Sequence, residues 1–404
     1  MYLQRINQMK KNNRIGIKLI TAGLAITIAL QTNEAKFVSA ENVTTEPAKL
    51  TAQTVTEETQ SWCLSNVSAS VSGLSKLMMD MANSYSEEVD KVLKEMNEEA
   101  EDVDAPMFLV FNGSPSLKPG EEFDIHKYIG YADDVDRDVT LEVSGSVDTS
   151  TEGTYPLKIT ITDDAGHSTS RDMNVRIATP APNPDGGDKK FENFSDFRSQ
   201  YKTDETSVGI DISRWQEAVD FEKVKAAGCE FVYMRIGGLD DGELYTDRYY
   251  LNNMAGAKAA GMQVGIYWHA EESSPAEVRE SVRYMMEVLA DEQLDFPIAY
   301  DWEDFKNFEN YGMNLHDLNK CLQIFEEEVS KYGYKACLYG SKNYLETVWT
   351  GKKQYPVWLA HYTKSTSYAG DYFMWQHSCI GKIEGVKGDV DLDVLYRNRM
   401  SNAE

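Results

Sequence analysis

The chain has no Cys-x-x-Cys pair. Its five cysteines, Cys63, Cys229, Cys321, Cys337 and Cys379, are scattered among 404 residues. An odd number cannot be fully paired within one chain, and metal-ligand spacing is missing, so neither a disulfide framework nor a zinc ribbon is expected. The cysteines read instead as small, mostly buried apolar residues, as Cys337 does inside the apolar run 336–338. Positive charge is also short: 40 Lys and Arg stand against 66 Asp and Glu, a net charge of −26. That excludes a nucleic-acid partner, which needs clustered basic residues, and electrostatic adhesion to anionic membranes. Long apolar runs are missing except near the start, where Leu19 to Leu30 is too short to span a bilayer comfortably. The acidic run Asp133-Asp134-Val135-Asp136-Arg137-Asp138 lacks the glycine and terminal Glu of an EF-hand loop, so a solvated turn is expected there. No cofactor motif and no metal-ligand set is recognised.

What is present points to several domains. A chain of 404 residues with 42% hydrophobic content suggests two or three cores joined by linkers. Lys10, Lys11, Arg14 and Lys18 precede the apolar stretch, and Val38-Ser39-Ala40 offers a small-residue cleavage site. Residues 1–40 therefore read as an export signal, with an uncleaved anchor as the alternative and no stable membrane insertion after cleavage. Residues 41–60, rich in Thr, Glu and Ala, read as a disordered spacer. Over 61–104, Leu74, Leu77, Met78, Met81, Val89, Val92, Leu93 and Met96 recur at helical spacing. That amphipathic face needs a cover, and self-association through it is one way to supply one.

Residues 105–178 read as short strands. Pro119-Gly120 and Asp164-Ala165-Gly166 are turn signals, and 139–143 and 155–161 alternate apolar with polar. A small all-β sandwich is expected, similar to the immunoglobulin-like modules of bacterial surface proteins, which serve as spacers or adhesins. Residues 179–204, opening Thr179-Pro180-Ala181-Pro182, read as a linker.

From 205 to 404, strand-like and helix-like stretches alternate and then give way to strands alone. Alternation implies a parallel sheet, and about eight strands imply an α/β barrel with its chemistry at the strands' carboxyl ends. Acids gather at those ends, with Asp211 on the first strand and Asp301 and Glu303 on the fourth. Residues two apart on a strand point the same way, with alpha carbons about 6–7 Å apart. Crowded carboxylates raise each other's proton affinity, the condition for a general acid facing an ionised partner. A rim pair held by Lys or Arg would look the same in sequence. Asp389, Asp391 and Asp393 alternate with Val390, Leu392 and Val394, giving one acidic strand face that is turned either to the cleft or to solvent. Tyr267, Tyr339, Trp358 and Trp375 lie near strand ends, where they could stack on sugar rings or pack in the core.

Several ordered motifs resemble the glycoside hydrolase family 25 muramidases, the Chalaropsis-type lysozymes. Gly209-Ile210-Asp211-Ile212-Ser213-Arg214-Trp215-Gln216 matches the family's D-x-S-x-x-Q opening, and Tyr300-Asp301-Trp302-Glu303 its D-x-E strand. Trp358-Leu359-Ala360-His361-Tyr362, Trp375-Gln376-His377 and Gly388-Asp389-Val390-Asp391 follow in family order. The resemblance implies a TIM-like barrel of five βα units plus three strands, cleaving the β-1,4 bond between N-acetylmuramic acid and N-acetylglucosamine. It implies Glu303 as general acid, Asp301 as its assistant, and Asp211 and Asp391 as further acids of the site. Tyr267, Tyr339, Trp358, Trp375 and Gln376 are expected to bind substrate, and peptidoglycan glycan strands are the expected partner. No cofactor or catalytic metal is implied. Two departures stand out: Met234-Arg235-Ile236-Gly237-Gly238 replaces a common K-x-S/T-E-G, and Tyr267-Trp268-His269 a common Tyr-His-Phe. Both bear on substrate preference more than on the acid pair. An inactive glycan-binding adhesin, or a glycosidase acting on another linkage, are the competing readings.

Overall fold

The structure, a computed structural model, describes residues 102–180 and 191–402. The expected export signal, the spacer and nearly all of the helical segment lie outside the described residues, as do Cys63 and the middle of the linker. Among the described residues no helix is long and apolar enough to cross a membrane.

The first body is all-β. Its strands are β1 (Met107–Phe111), β2 (Ser116–Leu117), β3 (Ile129–Ala132), β4 (Thr140–Ser144), β5 (Gly153–Thr162) and β6 (Ser168–Ile177). β5 and β6 form a long antiparallel hairpin, flanked by β4 on one side and β2 on the other, while β1 pairs with β3. The alternation read from the sequence decides which face is buried. Leu157, Ile159 and Ile161 meet Met173, Val175 and Ile177 in one core with Phe108, Leu117, Ile129 and Tyr131.

The second body is a closed sheet. Its elements are β7 (Glu192–Asn193), α1 (Phe194–Tyr201), β8 (Thr206–Ile212), α2 (Phe221–Ala226), β9 (Phe231–Asp240), β10 (Glu243–Thr246), α3 (Tyr250–Ala259), β11 (Gln263–Ala270) and α4 (Pro275–Leu289). β12 (Ile298–Trp302), α5 (Leu315–Ser330), β13 (Ala336–Ser341), α6 (Lys342–Thr347), β14 (Val357–Ala360), β15 (Met374–Lys382) and β16 (Val390–Tyr396) complete it. Eight strands close in the order β8-β9-β11-β12-β13-β14-β15-β16-β8. All neighbours are parallel except those of β16, which runs against both β15 and β8. Five strands are each followed by a helix, and the last three follow one another without one.

Local chemistry fixes the helices. Ser274 caps α4 by accepting from the Glu277 backbone N–H, and Pro275 sits where no N–H is needed. Asn314 and Asp317 form a capping box at the start of α5. Val278, Val282, Met285 and Leu289 then form one buried stripe on α4, and Leu318, Cys321, Leu322 and Phe325 another on α5.

Strand parity separates two layers. Val208, Ile210, Val232, Met234, Ile266, Tyr300, Leu338, Leu359 and Val394 face outward into the helix layer. Phe231, Tyr233, Ala299, Cys337, Trp358, Met374 and Leu395 face inward. Two glycines make room for the large inner rings. A Cβ on Gly209 would lie 2.5 Å from the Phe231 ring, and one on Gly265 would lie 2.6 Å from that of Tyr233.

Two expectations are corrected. The linker reading of 179–204 ends by Phe191: β7 pairs with β15, and Phe194 and Phe197 of α1 are buried in the barrel's outer core. Their apolar side chains gain more from that burial than from solvent. The solvated turn expected at 133–138 is a docking loop. Leu315 and His316 donate backbone N–H groups to the carbonyls of Asp133 and Asp134, at 2.9 and 3.1 Å. Arg137 clasps Asp317 with two hydrogen bonds of 2.6 and 2.9 Å. The sequence pattern reports only charge, and the barrel helix that covers the loop lies far along the chain.

Candidate active site

The inward parity that puts rings at the bottom of the barrel puts acids at the carboxyl ends of its strands. Asp211 comes from β8 and Asp301 from β12. Glu303 follows β12, and Asp391, second residue of the antiparallel β16, stands directly opposite Asp211. They line a cleft of about 280 Å³ together with Ser213, Trp215, Gln216, Arg235, Tyr267, His269, Tyr339, Trp358, Tyr362 and Gln376.

The motif around Asp211 is explained by its own hydrogen bonds. The Ser213 backbone N–H donates to Gln216 Oε1 at 2.9 Å, and Gln216 Nε2 donates to the Asp389 carbonyl at 2.9 Å. Gln216 thus staples the loop after β8 to the turn before β16 and holds Asp211 and Asp391 side by side. Gln376 supports Asp211 from the other side. Its Nε2 donates to Asp211 Oδ2 at 2.8 Å, while its Oε1 accepts from the hydroxyls of Tyr339 and Tyr362, each at 2.9 Å. Two phenols therefore fix which end of the amide faces the acid.

The carboxyls are strongly perturbed. Burial, then Glu303 and Asp211 as neighbouring charges, pushes the Asp301 pKa well above the usual carboxylate range. Burial also raises Glu303, against the lowering effect of its hydrogen bond with Asp301. Glu303 is the open member of the pair, exposed by surface area although protein crowds its carboxyl, so cleft water screens its charge more. Two such carboxyls titrate as a unit, and the pair retains a proton where isolated acids would have lost theirs. Burial and the charges of Asp211 and Glu303 push Asp391 up to about 9. Asp211 is raised by burial and then by Asp393. Among the described residues lining the cleft, the one Lys or Arg is Arg235, buried and hydrogen-bonded through Nε to Asp247 at 3.0 Å, with one terminal nitrogen unpartnered.

Most of the residues singled out in the sequence meet here, with one correction. Trp375 does not line the cleft. It faces outward on β15, buried against Tyr201 and His377, and its Nε1 donates to the His361 carbonyl at 2.9 Å. Parity is the reason: Met374 and Gln376 face inward, so the residue between them cannot. Trp358 is 2% exposed and forms the floor of the cleft, where its Nε1 donates to Asp393 Oδ1 at 2.9 Å. Tyr339 is likewise buried, so Tyr267 is the one expected ring with partial exposure. Sequence reasoning did not single out Asp393, Arg235, His269, Trp215 or Tyr362 as site residues. The alternation with Asp391 was the available signal for Asp393. Trp215, 72% exposed at the rim beneath the Arg214 guanidinium, lies inside the D-x-S-x-x-Q stretch but carried no signal of its own.

This arrangement coincides with the comparisons to known proteins. Residues 210–386 match the glycosyl hydrolases family 25, and residues 112–177 match the bacterial surface protein Ig-like domain. The barrel thus resembles a glycosyl hydrolase family 25 domain, and the body before it an Ig-like domain. The autolytic lysozyme of Clostridium acetobutylicum is 29% identical over 187 residues, covering 46% of this chain and 54% of that protein. Lysozyme M1 of Streptomyces globisporus is 26% identical over 200 residues, covering 45% and 65% respectively. Among solved structures, the spore cortex lytic enzyme SleM of Clostridium perfringens is 21% identical with a TM-score of 0.42, over 48% of this chain and 69% of that one. The chain spans only about half the length of the autolytic lysozyme it matches.

Proposed function

We propose that this chain is a peptidoglycan hydrolase, exported to the cell wall, that cleaves the β-1,4 bond between N-acetylmuramic acid and N-acetylglucosamine. The observation that carries the reading is the inward Asp301 and Glu303 pair, both with raised proton affinity, in a cleft walled by further acids. The family 25 match of the barrel and its lysozyme relatives support the same conclusion. In this reading the barrel is TIM-like, residues 1–40 direct export, and the Ig-like module is a spacer.

Glu303 is the general acid. It is the member of the pair open to the cleft, so it is where a proton can reach a glycosidic oxygen, while Asp301 lies too deep. A glycan filling the cleft expels the water that screens Glu303 and raises its proton affinity further. Glu303 then protonates the bridging oxygen as the bond to the anomeric carbon breaks. Asp301 orients the substrate acetamido group, whose oxygen attacks that carbon, and water, giving a proton to the Glu303 carboxylate, opens the resulting ring with retention. If a carboxylate activates water directly instead, the product is inverted. Tyr267 and Trp215 offer ring faces for sugars at the cleft wall and rim.

Purified peptidoglycan digested with the protein, reduced with borohydride and analysed by mass spectrometry tests the reading. Reduced muramic acid, absent with Glu303→Gln, is the expected result. Reduced glucosamine moves the reaction to the other linkage, and no fragments from folded protein would make the barrel a glycan-binding module. Proton NMR of the first product gives the anomeric configuration and separates the two routes.

A further inference from the structure

A second group of acids lies away from the cleft, beside the docking loop of the Ig-like module. Asp133 follows β3, Asp163 begins the turn between β5 and β6, and Asp102 arrives from the chain before β1. Asp133 is 1% exposed and Asp163 6%. Each uses one carboxyl oxygen on its own backbone. Asp133 Oδ1 accepts from the N–H groups of Val135 and Asp136, both at 2.8 Å. Asp163 Oδ1 accepts from those of Gly166 and His167, at 2.6 and 2.8 Å. The other oxygen of each, Oδ2, is buried without a hydrogen-bond donor, and so are both oxygens of Asp102. Buried carboxylate oxygens left bare are costly, and a native fold keeps them for a reason.

Asp102 belongs to two clusters of possible ligand atoms. Ligand atoms of Asp102, Asp133 and Asp134 lie within 4.8 Å of one another, as do those of Asp102, Asp163 and His167. An oxygen-ligated calcium ion has its ligands at 2.3–2.6 Å, so opposite oxygens stand up to about 5 Å apart. The guanidinium nearest in sequence, Arg137, is engaged with Asp317 of the barrel. His167 Nδ1, 3.2 Å from Asp163 Oδ2 and 3.7 Å from Asp102 Oδ2, stands at one edge.

We propose that Asp102, Asp133 and Asp134 bind one divalent cation of calcium type in the Ig-like module, with Asp163 and His167 beside Asp102 at its edge. Carboxylate oxygens in this number suit a hard cation rather than a thiophilic one. The same loop carries the Asp133 and Asp134 carbonyls and Arg137 that grip α5, so the ion stiffens the module's hold on the barrel. The site is independent of the proposed glycan chemistry.

The test is a calorimetric titration of chelator-stripped full-length protein with calcium, magnesium and zinc chlorides, alongside thermal melts. One saturable calcium site and a higher Tm in calcium are expected. Asp133→Asn and Asp102→Asn should weaken binding at least tenfold, while Asp391→Asn in the cleft should leave it intact. Should Asp133→Asn fail to fold, Asp102→Asn carries the test, since its carboxyl supports no backbone hydrogen bond. Unchanged calcium binding in Asp102→Asn, or no saturable binding of any of the three ions, overturns the proposal. Zinc binding tenfold tighter than calcium would also overturn it and make His167 the deciding ligand.

Discussion

The same eight strands line the barrel interior in two ways. Toward one end Phe231, Tyr233, Cys337, Trp358, Met374 and Leu395 fill the interior with apolar and aromatic side chains. Toward the other, Asp211, Asp301, Glu303 and Asp391 line the cleft, with Asp393 buried at the boundary. Strand parity is identical in the two layers, so the difference lies in composition and in what each layer does to the other. The ring layer closes the floor to water, and the desolvation it contributes is the first cause of the raised pKa values above it. The raised proton affinity of the acid layer therefore depends on the ring layer beneath it.

The largest expected effect falls in the acid layer. Glu303→Gln should lower kcat by about 10²–10⁴-fold, the usual worth of a positioned general acid. Its Tm should stay near that of the parent, because the carboxyl faces the cleft rather than the core. Activity near the parent level would assign the proton to another group.

The ring layer should answer in the opposite currency, stability. Tyr233 is fully buried and its hydroxyl donates to the Pro297 carbonyl at 3.0 Å. Tyr233→Ala should cost about 3–5 kcal/mol in chemical denaturation. A loss below 1 kcal/mol would mean that the floor collapses to fill the space and that the layers are less distinct than described.

Asp391 joins the two. Its folded pKa of about 9 lies above that of a carboxyl in an unfolded chain, about 3.9. The folded protein holds this proton more tightly, so the stabilisation is complete below the unfolded value and is lost as pH rises toward 9. Asp391→Asn should flatten that decline. Its Tm should exceed the parent's at pH 8, by about 2–4 °C per kcal/mol recovered, with little difference at pH 4. Parallel Tm profiles would show that Asp391 is ionised at no cost. The smallest effect is expected at the rim. Trp215→Ala should raise KM for glycan roughly tenfold or less, consistent with losing one exposed stacking face, with Tm unchanged.

Much of this was legible before any coordinates. Strands β4 and β5 of the Ig-like module followed from simple alternation, since Leu157, Ile159 and Ile161 have one face to bury. Asp211, Asp301, Glu303 and Asp391 were legible from strand-end position and motif order, and all line the cleft. Trp375 was misjudged because a motif names a neighbourhood, whereas facing depends on register one residue at a time. Residues 191–204 were misjudged because linker-like composition upstream hid two phenylalanines whose partners lie elsewhere on the barrel.

The sequence by itself determined the order of strands and helices, the periods that make them amphipathic, and which strand ends carry acids. These are local properties, set by spacing and side-chain type. Only the tertiary structure decided which acids face one another, that Gln376 is oriented by two phenols, and that Asp102 meets Asp133 and Asp134 on one side and Asp163 on the other. Proton affinity and cation affinity depend on distance and exclusion of water, and both arise only when segments far apart in the chain are packed together.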